Sequence, residues 1–437
     1  MQRKVYLNTE DFLVQNNELQ QPLKFSQNIN VLSSPVQVGG KTIANRLVCQ
    51  PMEGCDGTYD GRPGELTLRK YRRLAAGGAG LIWLEAVAVQ PDAKANPRQL
   101  CINKNNIDSF KHLVEEIKQT GFKANGFEPV VIMQATHSGR YSKPREIIAY
   151  NHPILEANKP ISSDRIITDE QLDTVKENLI NAAVLAQESG FDGVDIKCCH
   201  RYLLNELLSA YNRTGRYGGS FENRTRMIVE SIQGAMQSCR SGFLVTSRLN
   251  VYDGFEYPYG FGVNPESGLI PDFTEPILLI QKLRDMGVKL LNITMGNPYY
   301  NPHVNRPFAV GGYKAEEYPL EGVARMLNGT RLIQKAVPEV KMVASGLTFL
   351  GTVSPNVAAG FIEDGGFALA GFGRMILAYP DFANDIFKGR LKREKCCIAC
   401  SKCTQIMRNG GTPGCVVKDS EVYLPIYNKF CIKKGED

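Results

Sequence analysis

Cys397, Cys400 and Cys403 stand at intervals of three near the end of the chain, and Cys415 follows from a loop rich in Gly and Pro. Three thiolates so spaced wrap a compact soft site and a fourth closes it, an arrangement suited to an iron–sulfur cluster. Zinc, which more often takes two separated Cys-x-x-Cys pairs, and free thiols are the alternatives. A reducing compartment disfavours disulfides, so the crowding of six of the twelve cysteines at or after Cys396 points to metal. Cys396 and Cys431 fit no ligand position.

A second set of polar residues sits where apolar runs stop. Gln134 ends the stretch Val130-Val131-Ile132-Met133, which is too apolar to want an amide unless that amide meets something. Gly346 follows Ser345, and Gly373 precedes Arg374. Loops of this kind present bare backbone N–H groups to a phosphate, and Arg374 would add a charge-assisted contact. They can equally be turn residues. Tyr202 follows the run Asp195-Ile196-Lys197-Cys198-Cys199-His200-Arg201, where a fixed phenol can give up a proton. A core tyrosine is the plainer alternative.

Residues so far apart in sequence can meet only if a regular scaffold brings them to one face. β-rich runs are expected over residues 46–51, 80–87, 129–135, 192–197, 243–249, 289–295, 341–345 and 366–370. Helical periodicity is clearest over 107–120, 169–189, 221–238, 274–286 and 320–336. Near-continuous apolar strands alternating with helices describe a parallel sheet covered by helices. The α/β class follows, and eight such units fit a TIM (β/α)₈ barrel. A doubly wound fold would want Gly-x-Gly-x-x-Gly after a strand, and the chain has no such match. The barrel places chemistry at the C-terminal ends of its strands. The expected division is an N-terminal extension over 1–30, a barrel over 31–390 and a short cysteine-rich metal-binding segment over 391–437.

Composition excludes several classes. Hydrophobic residues make up 43% and charged residues 22% of the 437, as in an ordinary globular protein. No apolar run is long enough to span a membrane, and the polar N-terminus lacks the core of a signal peptide, so a cytoplasmic address is expected. A net charge of +6 does not argue for nucleic acid. The cluster Lys388, Arg390, Lys392, Arg393 and Lys395 reads either as a solvated last helix or as a docking patch for an acidic electron-transfer partner.

Taken in order, certain segments resemble the Old Yellow Enzyme family of FMN-dependent ene-reductases. They are residues 45–53, the stretch Leu84-Glu85-Ala86, residues 134–140, the Asp195–Leu204 run, Asn212-Arg213, Ser247-Arg248, Ser345-Gly346, and Gly373-Arg374 with Pro380-Asp381-Phe382. The most specific part is Gly190-Phe191-Asp192-Gly193-Val194-Asp195 with Tyr217-Gly218-Gly219-Ser220-Phe221-Glu222-Asn223-Arg224. The resemblance implies FMN, with Gln134 on the flavin pyrimidine edge and Arg248 beside the N1–C2=O region, where it would stabilise reduced flavin. As an alternative, Arg248 can pair with Asp195. Pro51, Met52 and Ala86 would line the ring, and Gln50, Glu53 and Ser345 join the cofactor-binding set with Gly346, Gly373 and Arg374. Tyr202 becomes the proton donor opposite the hydride.

Two positions depart from the family pattern. A His usually precedes a His or Asn by three residues, to hold the substrate's carbonyl or nitro oxygen. The matching residues here are Lys197 and His200. A lysine in that place can hold a carboxylate or enolate oxygen and leans the expectation toward an acidic or strongly polarised substrate; it can also pair with Asp195 or Glu53. Relatives carry Cys, Thr or His at Glu53, where a carboxylate would disfavour anionic reduced flavin unless protonated or paired with Lys197.

The larger relatives resembling 2,4-dienoyl-CoA reductase and trimethylamine dehydrogenase carry a [4Fe-4S] cluster just after the barrel, with similar cysteine spacing. They continue into FAD- and nucleotide-binding domains, which are expected to be absent from a chain ending at Asp437. The leading expectation is an FMN and iron–sulfur ene-reductase acting on a small α,β-unsaturated carbonyl or carboxyl compound. NAD(P)H or an electron-donor protein would reduce it, and a homo-oligomer is open. The alternatives are an amine dehydrogenase, which would want an aromatic cage although Trp83 lies inside a strand, and an electron-transfer subunit of a larger complex.

Overall fold

The computed structural model describes residue 6 and residues 8–267, 270–308 and 310–432. The outer ends of the expected 1–30 and 391–437 spans lie partly outside them. Helix α1 (Thr9–Asn17) buries Phe12 and is followed by a hairpin of β1 (Val36–Val38) and β2 (Lys41–Ile43). The hairpin turns at Gly39 and Gly40, both at positive φ.

Eight apolar runs then form parallel strands: β3 (Leu47–Cys49), β4 (Leu81–Ala88), β5 (Val130–Thr136), β6 (Gly193–Ile196), β7 (Leu244–Asn250), β8 (Leu290–Thr294), β9 (Lys341–Ala344) and β10 (Leu369–Phe372). They follow one another round a closed barrel, and β10 pairs with β3 through Ala370–Leu47, Gly371–Val48 and Phe372–Cys49. The expected TIM barrel is therefore the observed fold. One boundary is corrected. The last strand lies at Leu369–Phe372 rather than 366–370, because Gly365, at φ 70°, and Gly366 turn the chain before it can pair.

Helices cover the outside: α2 (Glu65–Ala76), α3 (Ile107–Asn125), α4 (Asp169–Glu188), a short α5 (Leu203–Leu208), α6 (Phe221–Ser238), α7 (Thr274–Asp285), a short α8 (Pro302–Asn305), α9 (Pro319–Ala336) and α10 (Ser354–Glu363). After β10 come α11 (Arg374–Ala378), α12 (Phe382–Phe387), α13 (Lys402–Arg408) and α14 (Ser420–Cys431). Helix starts follow local chemistry. Thr168 and Gln171 cap α4 reciprocally, and Ser220 accepts from the Asn223 N–H at the start of α6.

The two mouths of the barrel differ. At the N-terminal mouth, Val36, Val38 and Ile43 of the hairpin pack on Val48, Leu81, Val130, Leu244, Leu290, Val343 and Leu369. Each such side chain stabilises the fold by roughly 1.5–3 kcal/mol on burial. The hairpin closes that end with apolar contacts, and the C-terminal mouth is left for polar residues. The Tyr217–Arg224 motif is a scaffold there. Arg224 donates to the Leu208 carbonyl and pairs with Glu275, and Arg213 donates to the Ala149 and Ile167 carbonyls.

The segment from Gln15 to Ser26 packs on the last units of the barrel. Tyr318 donates to Gln15, Asn328 to the Gln21 carbonyl and Asn356 to the Ser26 carbonyl. The basic run at 388–395 does not form the last helix that one expectation had it forming; it follows the end of α12 at Phe387 and holds only a short 3-10 turn over Arg393–Lys395. It links α12 to the cysteine segment, and Arg390 and Lys395 reach Asp385. Asp419, at the start of α14, accepts two hydrogen bonds from Arg69 and one from Arg73 on α2, fixing the cysteine segment to the barrel.

Candidate active site

Thirteen of the fourteen residues expected at the flavin and substrate line one cavity at the C-terminal mouth, of about 1050 Å³. From β3 and its loop come Gln50, Pro51, Met52 and Glu53; from β5, Gln134; from β6 and its loop, Lys197, His200 and Tyr202. Arg248 comes from β7, Ser345 and Gly346 follow β9, and Gly373 and Arg374 follow β10. Ala86 stands outside this lining. It is fully buried within β4, and its carbonyl accepts from the Gln99 amide.

The cavity floor is held by strand-to-strand hydrogen bonds. Asp195, buried inside the barrel, accepts from Trp83 Nε1, from Gln134 Nε2 and from the Arg248 backbone N–H. Burial pushes its carboxyl up to about 6, against those three hydrogen bonds. Arg248 therefore meets Asp195 through its backbone, and its Nε has no hydrogen-bond partner among the described residues. Gln50 donates to Ser345 and accepts from Asn292, tying β3 to β8 and β9. It crosses Gly371 so closely that a Cβ there would fall 2.0 Å from Gln50 Nε2, which is why that position has no side chain.

Unsatisfied cations gather at one end. Arg374 donates to the Pro307 carbonyl through Nη2 while its Nη1 has no partner, and Arg306 Nη1 is likewise bare among the described residues. Burial and the neighbouring Arg374 guanidinium lower Arg306 to about 9. Buried guanidinium groups without anions, next to the backbone of Gly346 and Gly373, fit a phosphate.

Glu53 Oε1 is shared by two donors from β6 and its loop. Tyr202 Oη donates to it at 2.7 Å, and Lys197 Nζ lies 3.3 Å away. The ammonium also sits 3.7 Å from the centroid of the Tyr202 ring. Of the partners foreseen for Lys197, the structure selects Glu53. Tyr299 Oη is 3.1 Å from Tyr202 Oη and stacks on Tyr141 at 3.8 Å. His200 and Arg201 both hold left-handed backbone, at φ 65° and 59°, a strain set by the fully buried Arg201–Asp253 ion pair beneath them. His200 Nε2 has no partner among the described residues. Burial, together with the charges of Arg248, Lys197 and Arg306, holds its pKa well below the usual imidazole value.

A smaller cavity of about 370 Å³ adjoins the first. It is lined by Cys397, Cys400, Cys403 and Cys415 together with Lys402, Lys418 and others, and Cys403, Arg374 and Leu377 line both cavities. Ala399 and Ser401 take positive φ between the cysteines. The Ala399 N–H points to Cys397 Sγ and the Lys418 N–H to Cys415 Sγ. Among the described residues no three His, Cys, Asp or Glu side chains converge on a single-ion position, and the four cysteines are brought together as lining residues of one cavity. Cys396 and Cys431 stand outside it, near the Lys392 carbonyl and Asn409.

Sequence reasoning missed Tyr299, Arg306, Thr348 and Met407 as lining residues. Tyr299 and Arg306 lie in the loops after β8, so the rule that strand-end loops carry chemistry could have found them. Met407 had no comparable signal.

The sequence pattern of the NADH:flavin oxidoreductase / NADH oxidase family matches residues 31–262. An NADH oxidase from Thermoanaerobacter brockii is 26% identical over 384 residues, covering 85% of this chain and 52% of that protein. An NADPH dehydrogenase from Bacillus pumilus (strain SAFR-032) is 32% identical over 274 residues, 61% of this chain and 73% of that protein. In fold, a 2-naphthoyl-CoA reductase solved with 2-naphthoyl-CoA superposes with a TM-score of 0.74 at 19% identity, over 93% of this chain and 58% of that chain. The chain spans about half the length of the first of these relatives.

Proposed function

The chain belongs to the NADH:flavin oxidoreductase / NADH oxidase family, and from that premise we propose that it is an FMN-dependent ene-reductase acting on an α,β-unsaturated carbonyl or carboxyl compound. The observation that carries the reading is that Tyr202 and His200 share one cavity with Gln134, Arg248, Arg306 and Arg374. Bare guanidinium atoms and glycine backbone suit the FMN phosphate at one end, and Gln134 and Arg248 suit the pyrimidine edge. Reduced FMN, when bound, supplies the hydride to the alkene β-carbon. His200 Nε2 and Lys197 then hold the substrate oxygen as charge develops on it, and Tyr202 gives its proton to the α-carbon. NAD(P)H is the proposed source of reducing equivalents.

The four cysteines fit a [4Fe-4S] cluster: a soft donor set spaced around a cavity, with backbone N–H groups aimed at two sulfurs. A cluster there passes single electrons, and the wall shared through Cys403 makes an electron-donor protein a second proposed source. The tyrosines Tyr141, Tyr202 and Tyr299 are the feature that favours amine oxidation. The Lys197 ammonium against the Tyr202 ring weighs against it, because a cationic substrate would meet a fixed like charge.

Anaerobic purification with absorbance, iron, sulfide and zinc analysis tests both groups. Flavin with about four irons per chain is the expected result. Zinc without iron would make the segment a structural clip, and absence of flavin would overturn the proposed activity.

A further inference from the structure

Tyr202 can donate only once before its own proton must be replaced, and it is almost fully buried at 1% exposure. Its hydroxyl has two neighbours, Tyr299 Oη at 3.1 Å and Glu53 Oε1 at 2.7 Å. Tyr299 is another neutral phenol, whose deprotonation would move the deficit without ending it. Glu53 differs in two respects. It is a carboxyl group, and its side chain is 17% exposed, against 2% for Lys197. It therefore touches both the buried hydroxyl and the solvent side of the cavity.

We propose that Glu53 is the proton relay that restores Tyr202 after each turnover, with Lys197 as the positioning residue that holds the relay oxygen in place. The inference rests on the reading of Tyr202 as proton donor. As the new C–H bond forms on the substrate's α-carbon, the Tyr202 O–H bond breaks and leaves a phenolate. A protonated buffer acid or hydronium delivers a proton to the Glu53 carboxylate. The Glu53 O–H bond then breaks as the Tyr202 O–H bond reforms, and the carboxylate returns to its pairing with Lys197. One external acid is consumed per alkene reduced, and no electrons move in these steps.

The geometry explains both departures from the family pattern at once. A carboxylate 2.7 Å from a phenol opposes formation of the phenolate unless it is itself about to be protonated. The ammonium 3.3 Å from Glu53 and 3.7 Å from the ring centroid of Tyr202 stabilises either anion, so the negative charge can pass between them. Lys197 is the cation within ion-pair distance of Glu53 among the described residues, and it keeps the carboxylate beside Tyr202. Without Glu53 the lysine would be a buried charge facing a ring.

The test uses the flavin-loaded enzyme, reduced with NADPH or dithionite, and 1-nitrocyclohexene. The nitronate formed by hydride addition is a stable anion, so hydride transfer and protonation are read separately. Tyr202→Phe should reduce the alkene but release unprotonated nitronate from the first turnover. Glu53→Gln should protonate its later equivalents about 100-fold or more slowly than its own first one, the lower range of a general acid's contribution. Added acetate should restore its later turnovers in proportion to concentration, a rescue that a merely structural lesion would not show. Glu53→Asp, which keeps the carboxyl, should retain more multiple-turnover rate than Glu53→Gln. Steady turnover by Glu53→Gln, equal to the unaltered enzyme and indifferent to acetate, would overturn the relay while leaving Tyr202 as donor. Prompt protonation by Tyr202→Phe would remove the donor and the relay with it, and failure of the unaltered enzyme to reduce the nitroalkene and every α,β-unsaturated carbonyl or carboxyl compound tried would remove the ene-reductase reading as a whole.

Discussion

His200 meets the cavity as a neutral imidazole, because burial and three nearby cations hold its pKa well below the range of ordinary histidines. Above that depressed pKa the ring is uncharged, so its hydrogen-bonding state does not change around neutral pH. The pH dependence of kcat/KM should then have the same limbs in the unaltered enzyme and in His200→Asn, at a lower plateau in the variant. A limb lost in the variant would contradict this. Arg374 makes a different kind of contribution, since half of its guanidinium has no partner until an anion arrives. Arg374→Met should weaken flavin binding by about 10–100-fold, the range of a charge-assisted hydrogen bond, read by titration of flavin into apoprotein. Unchanged affinity would place the phosphate elsewhere.

The elements that present these residues were mostly legible in the sequence. Runs such as Val130–Met133 are apolar throughout because both faces of the strand are covered, and that pattern is visible without a structure. The hairpin of β1 and β2 was not foreseen. Each strand has three residues, and the partners of Val36, Val38 and Ile43 are supplied by seven barrel strands, all but the first remote in sequence. Arg306 could have been picked out by its place after β8, but its meeting with Arg374 in one cavity depends on the closed barrel. Glu53 and Lys197 were visible as departures, but their shared oxygen depends on how β3 and β6 project side chains across the barrel mouth. The clamp between α2 and the cysteine segment is also a matter of elements. Asp419→Ala removes three hydrogen bonds from Arg69 and Arg73. It should expose residues beyond 391 to limited proteolysis and lower Tm by a few degrees, with barrel secondary structure unchanged by circular dichroism. Equal protease resistance would show that α13 and α14 hold the segment unaided.

For the molecule as a whole, acid should be more damaging than its carboxylates alone predict. Burial lowers His137 to about 4 and, with Arg201 and Arg140 nearby, His152 to about 2. Unfolded histidine titrates near pH 6.5, so below that pH the unfolded chain takes up protons that the folded one refuses. Stability is complete above about pH 6.5 and falls as the pH drops toward each folded pKa, by up to about 1.4 kcal/mol per pH unit for each ring. The urea midpoint should fall between pH 7 and pH 5, and His152→Gln should flatten that slope; a slope unchanged in the variant would trace the loss to other groups. The pairing of β10 with β3 sets a constraint of another sort, on synthesis. The strand at residues 47–49 gains its second neighbour only when residues 369–372 have left the ribosome, and the segment from Gln15 to Ser26 seated by Tyr318, Asn328 and Asn356 waits nearly as long. At about 5–20 residues per second that delay is roughly a quarter of a minute to a minute. Over that interval the hairpin gains its apolar partners one strand at a time, from Val48 and Leu81 first to Leu369 last, so its burial is complete only when the barrel closes.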